Sequence, residues 1–227
     1  ALSQQIPVLQ PISLRDEVFL AELKAFQADV QVVVAFRMLP KVVWQMPRKG
    51  TFNLHASLLP DYRGAAPINW AIIGGEATTG VTTFLIDEQI DTGAILLRKE
   101  VAIAPRETAG TLHDKLMTVG ADLVVETLAL IASDKAVPQS QPKQVVEKSA
   151  PKIHKETSHI PWEQSLAQID RFVRGMSPYP TAWAQLHHEG ETYAVKIYEA
   201  TPQEATHNLP IGRVLLEDKQ IKVAVQG

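Results

Sequence analysis

The chain has 227 residues, no cysteine and a formal net charge of -3. Without thiols there is neither a disulfide framework nor a thiolate zinc site, and the slight negative charge excludes an all-over basic field, so any RNA contact must be local. A content of 45% hydrophobic and 21% charged residues is that of an ordinary globular protein, which excludes disorder as the default.

The apolar runs 30–36 and 123–132 are too short or too interrupted to span a bilayer, and no signal peptide opens the chain, so a cytoplasmic, non-membrane protein is expected. In chain order, 6–9 reads as a short extended piece, and 14–27 places Val18, Phe19, Leu20, Leu23 and Phe26 at helical spacing. Residues 30–36 form a β-branched run without polar alternation, the pattern of a strand buried on both faces of a parallel sheet. Pro40 begins a short helix that Gly50 ends, and 51–54 reads as a strand that leaves His55 just past its carboxyl end. Such strand ends are where open α/β sheets bind ligands.

A helix over 67–73 stops at Gly74-Gly75, and strands over 81–86 and 95–101 form an antiparallel pair joined by the loop 87–93. Thr108 or Thr111 caps a long helix running to about residue 133, with Leu112, Leu116, Val119, Leu123, Val124 and Leu128 as its apolar stripe. Residues 135–157 are polar, proline-bearing and rich in lysine, as a linker would be. A helix over 162–174 and short strands over 182–186, 193–198, 213–216 and 221–225 then suggest a small barrel or curled sheet. The expected division is therefore 1–134, a linker over 135–157, and 158–227. A missing start and a cut end are also expected, because the first strand-like run follows a helix and no initiator methionine is present.

The most informative block is Phe52-Asn53-Leu54-His55-Ala56-Ser57-Leu58-Leu59-Pro60, continued by Arg63-Gly64-Ala65-Ala66-Pro67-Ile68-Asn69-Trp70 and, later, Ile90-Asp91-Thr92-Gly93. In this order and spacing the three elements resemble the folate-dependent formyltransferases. Arg37-Met38-Leu39-Pro40 is similar to the family's folate-side loop, and Arg174-Gly175-Met176-Ser177-Pro178-Tyr179-Pro180 with Trp183 is similar to its second domain. The resemblance implies a Rossmann-type α/β domain followed by an OB-like β-barrel. It implies formyl transfer from 10-formyltetrahydrofolate to the amino group of methionine on initiator tRNA, by a monomer without a metal.

Asn53, His55 and Asp91 are the implied catalytic set. Residues two apart on an extended strand point to the same side, so Asn53 and a protonated His55 can both donate to one developing oxyanion. Asp91 would orient the imidazole and relay the proton of the attacking amine. Folate contacts are expected from Arg37, Met38, Leu39, Ser57, Leu58, Leu59, Pro60, Asp87 and Gln89, and tRNA contacts from Arg63, Lys143, Lys148 and Lys152. Ser57 is not expected to be a nucleophile, since its one nearby base is His55.

Alone, Asn-x-His is more often a hydrogen-bonded strand end than a catalytic pair, and Asp-Thr-Gly also occurs in aspartic proteases, which need a second such carboxylate that this chain lacks. Trp70, Tyr179 and Trp183 read individually as packing residues and the linker lysines as a solvated face. His187 and His188 adjoin on a strand and point to opposite faces, against joint metal binding. Ala56, Ala65-Ala66 and Thr92 look more like the tRNA branch of the family than the branch that formylates sugar-nucleotide amines, which is the second possibility. A folate- or RNA-binding fragment without activity is the alternative of another class.

Overall fold

The computed structural model describes residues 1–35, 38–142, 148–217 and 219–226; Arg37 and Lys143, expected to touch folate and tRNA, lie outside the described residues. The principal elements are α1 (Glu17–Ala25), β1 (Gln31–Val33), α2 (Lys41–Trp44), β2 (Thr51–His55), β3 (Arg63–Gly64), α3 (Pro67–Gly74), β4 (Thr78–Leu85) and β5 (Ile95–Ala102). They are followed by α4 (Ala109–Ala132), β6 (Ser149–Ala150), α5 (Leu166–Met176), β7 (Ala182–His188), β8 (Glu191–Ile197), β9 (Val214–Glu217) and β10 (Gln220–Val223). The chain folds as two compact units, one of Ala1–Pro60, Val81–Lys99 and Val119–Val145, the other of Asp61–Gly80, Glu100–Thr118 and Val146–Gly227.

In the first unit, α1 starts three residues later than its apolar spacing suggests. Asp16 caps it, its carboxylate accepting the Phe19 amide at 2.9 Å, and a capped start displaces a merely periodic one. The sheet order is β1-β2-β4-β5, with β1 parallel and β4 antiparallel to β2, so the sheet is mixed. Phe52 is wholly buried on β2, a burial that contributes about 1.5–3 kcal/mol for a side chain of this size.

The expectation that 30–36 is buried on both faces is corrected by this topology. Among the described residues β1 is an edge strand of three residues, and Val32 and Val34 are 39% and 57% exposed while Val33 is buried. An unalternating apolar run marks a two-face strand only when layers cover both faces. The α4 stripe is better realised: Leu112, Leu116 and Leu123 are buried, and Thr108 and Thr111 exchange hydrogen bonds at the helix start. Gly120 lets α4 lie close to β2, since a Cβ there would stand 2.7 Å from the Leu54 side chain.

The second unit gathers its core on α5, where Ile169, Phe172, Val173 and Met176 share a face with Ile160, Ala182 and Val225. Ser165 caps this helix in a reciprocal box with Gln168, which moves its start from the expected 162 to 166. β7 pairs with β8 and β9 with β10 as antiparallel hairpins in two separate two-stranded sheets. Tyr179, expected to pack in a barrel, is instead 83% exposed.

The lysine-rich stretch read as a linker is in part ordered by pairing. In the first unit Gln139 forms an antiparallel bridge with Ile95, and in the second β6 runs parallel to β3.

Candidate active site

β2 carries Asn53 and His55 on one side, both buried, between β1 and β4. Register places Asn53 opposite Phe84 and His55 opposite Thr82, and the Phe84 ring meets the imidazole edge-on at 6.5 Å between centroids. His55 is the last residue of the strand, at the carboxyl end where the sheet opens.

Asp91 arrives from the loop that follows β4. Its Oδ2 lies 3.8 Å from His55 Nδ1, with the two side chains only 10% and 8% exposed, so water screens the contact weakly. The loop is closed by its own hydrogen bonds. Asp87 Oδ1 accepts from the Gln89 amide at 2.9 Å, and the Thr92 hydroxyl donates to the same carboxylate at 2.8 Å, closing a compact turn. Asp91 itself has a left-handed backbone, φ 55°, and at Gly93 the chain crosses so near β4 that a Cβ would fall 1.6 Å from the Leu85 carbonyl oxygen. Glycine is required there for space.

The turn after β2 is fixed from within. Ser57 is fully buried, and the Thr82 hydroxyl donates to the Ser57 carbonyl at 2.7 Å while accepting the Leu59 amide at 3.2 Å. Arg98 Nη1 donates to the Leu59 carbonyl at 3.1 Å. Leu59 packs with Phe84 and Ile95 in a small apolar cluster. Thr82 and Arg98 were missed from sequence because their partners are backbone groups remote in the chain.

Two stretches expected to hold folate are tied together in this unit. Lys41, at the start of α2 just after Met38, Leu39 and Pro40, forms an ion pair with Glu88, next to Asp87 and Gln89. The Lys41 ammonium holds the Glu88 carboxyl below its usual range. Met38 and Ile90 stand 78% and 65% exposed nearby in sequence, apolar surface of the kind a flat aromatic ligand covers. The Asp87 side chain, by contrast, is spent on its own loop.

The chain matches the family model described as "Formyl transferase" over residues 2–128 and that described as "Formyl transferase, C-terminal domain" over 152–227. The chain belongs to the formyl transferase family. It is 53% identical over 226 residues to the methionyl-tRNA formyltransferase of Flavobacterium johnsoniae, and 54% identical over 232 to that of Parabacteroides distasonis. Both alignments take in all of this chain and 72% of the relative. Among solved structures, HypX from Aquifex aeolicus in complex with tetrahydrofolic acid superposes with a TM-score of 0.70 at 24% identity, over 92% of this chain and 35% of that one. That likeness shows a shared fold.

Three tRNA candidates of this formyl transferase, Arg63, Lys148 and Lys152, fall in its second unit. Gly64, at φ 124°, lies so close to β6 that a Cβ would stand 2.3 Å from the Ala150 carbonyl oxygen. Beside it Tyr62 donates to Glu76 at 2.7 Å, and Lys148 Nζ sits 2.8 Å from the same Glu76 oxygen and 5.9 Å above the Tyr62 ring. Burial pushes the Tyr62 phenol well up, and the hydrogen bond to Glu76 adds to it. Burial would also raise the Glu76 carboxyl, but the hydrogen bonds from Lys148 and Tyr62 outweigh it and leave it lowered. Lys148 thus serves a local ion pair, and both it and Lys152 are exposed. Lys155 stands 5.5 Å over Trp183, whose indole donates to the Lys155 carbonyl at 2.7 Å.

No described helix is long and apolar enough to cross a membrane, and no group of three or more metal-ligating side chains occurs among the described residues.

Proposed function

We propose that this chain carries the centre that moves a formyl group from 10-formyltetrahydrofolate to the amino group of methionine on initiator tRNA. The observation that carries this is the buried His55–Asp91 pair beside Asn53 on the same side of β2. Relatives about half identical over the whole chain bear the name methionyl-tRNA formyltransferase, which favours this acceptor over an amino-sugar nucleotide.

When bound, 10-formyltetrahydrofolate supplies a formyl carbon on N10, which departs as an amine once the new C–N bond has formed. Asn53 offers its side-chain amide and His55 its ring N–H to the formyl oxygen as negative charge gathers on it. Donors already held in a buried strand need no reorganisation at that moment, which makes them worth far more than the same groups in water. Asp91 favours the imidazolium by its charge, and it accepts the proton lost by the attacking amine and returns it towards N10, directly or through water. The 3.8 Å separation exceeds a hydrogen bond, as is common before substrate tightens a site.

For the folate itself we propose contacts from Arg37, Met38, Leu39 and the turns 57–60 and 87–91. Lys152, together with Arg63, Lys143 and Lys148, is proposed to contact tRNA. We read the first domain as Rossmann-type over 1–134, the stretch 135–157 as a connector, and the hairpins of 158–227 as parts of an OB-like barrel, in a cytoplasmic monomer.

The test is formylation of methionyl-tRNA by the protein and by His55→Ala, with an amino-sugar nucleotide as rival acceptor. Transfer to methionyl-tRNA that His55→Ala abolishes is the expected result. Transfer to the sugar alone would overturn the acceptor, and no transfer to either would leave a binding fragment.

A further inference from the structure

We infer that Gln141, on the connector after α4, is a positioning residue for the catalytic loop. This inference rests on the proposed role of Asp91. The Gln141 side-chain amide donates to the Asp91 carbonyl at 3.0 Å and to the Gly93 carbonyl at 2.8 Å. Both partners are acceptors only, so the nitrogen of the amide must face them, and its two hydrogens match two carbonyls. One side chain thereby bridges the two ends of the turn that presents Asp91.

The register of Gln141 is itself fixed. Gln139 exchanges both backbone hydrogen bonds with Ile95 at 2.8 Å each, pinning the connector against the first residue of β5. Two residues further along extended chain brings the side chain at 141 to the loop that ends at Gly93. The loop needs such a tie, because Asp91 has a left-handed backbone that a non-glycine residue adopts at a cost. Asp87 and Thr92 close the loop from within. Gln141 supplies that restraint from outside, and with it the placement of Oδ2 against His55.

Gln141→Met keeps length and bulk but removes both donors, and Gln141→Glu replaces them with acceptors facing two carbonyls. Two measurements on each variant separate positioning from mere folding: hydrogen exchange of the amides over 89–93, and steady-state formylation of methionyl-tRNA. Expected are faster exchange in the loop, a fall in kcat of about 10- to 100-fold, and a KM for methionyl-tRNA within about twofold of wild type. Wild-type exchange in Gln141→Met would overturn the clamp. Faster exchange with an unchanged kcat would overturn the positioning role and leave a structural staple. If the wild-type protein formylates no methionyl-tRNA, the proposed reaction fails, while the exchange experiment still decides whether Gln141 holds the loop.

Discussion

Asp91 Oδ2 stands 3.8 Å from His55 Nδ1 although the two residues reach the site by different means, His55 from the end of a buried strand and Asp91 from a loop residue with left-handed backbone. The strand is held by its ladder on both sides. The loop is held by side chains, and its placement is the more vulnerable of the two.

Replacing Asp91 with asparagine keeps size while removing the carboxylate proposed to accept the proton. Formylation should fall by about 10²- to 10⁴-fold with the unfolding midpoint little changed. Asn53→Ala removes one proposed donor to the oxyanion and should cost about 10²- to 10³-fold in kcat. Turnover by Asp91→Asn near that of wild type would remove Asp91 from the mechanism.

Gly93→Ala sets a Cβ against the Leu85 carbonyl oxygen at 1.6 Å, and both groups belong to backbone that cannot swing aside. The variant should be destabilised by about 3 kcal/mol or more, or fail to accumulate as folded protein. Chemical denaturation beside the wild type measures this. An unaltered midpoint would mean that the loop has another accessible path.

Thr82→Val preserves shape and deletes the hydroxyl that serves both the Ser57 carbonyl and the Leu59 amide. These backbone groups are buried, so the loss should be about 1–3 kcal/mol, more than for an exposed hydroxyl. Because the turn 57–60 is also proposed to face folate, KM for 10-formyltetrahydrofolate should rise in the same variant. A KM at the wild-type value would separate the turn from folate binding.

Glu76 supplies a pH signature. Its carboxyl is lowered in the folded protein, so the folded state gains stability above the ordinary carboxylate range and loses it as pH falls through the folded value. The unfolding midpoint of Glu76→Gln should therefore lie below that of wild type at neutral pH, and the gap should close below about pH 5. A gap independent of pH would refute the coupling of Glu76 to Lys148 and Tyr62.

Most helices and strands were legible because their signals are local. Gly75 stops α3 with a left-handed cap, φ 76°, and the threonine-rich run over 78–85 forms β4. Two helix starts slipped because a side-chain cap overrode apolar spacing, at Asp16 and Ser165, and β4 begins three residues before the expected 81. Of the strand expected over 30–36, Gln31–Val33 forms, with Val33 buried and Val32 and Val34 exposed.

The same division applies to the site. Asn53 and His55 were readable together because two residues on one strand share a side by covalent geometry alone, and the spaced motifs pointed to the formyltransferases. The sequence determined which groups are candidates to act on a formyl carbon. Only the tertiary structure decided how Asp91 meets His55, that Thr82 and Arg98 hold the turn 57–60, that Lys148 is engaged by Glu76, and that Gln141 ties the Asp91 loop from fifty positions away. Each of these is a hydrogen bond or ion pair across distant parts of the chain, and such pairs form because buried polar groups must find partners in the folded state, a demand that leaves no periodicity or spacing to read beforehand.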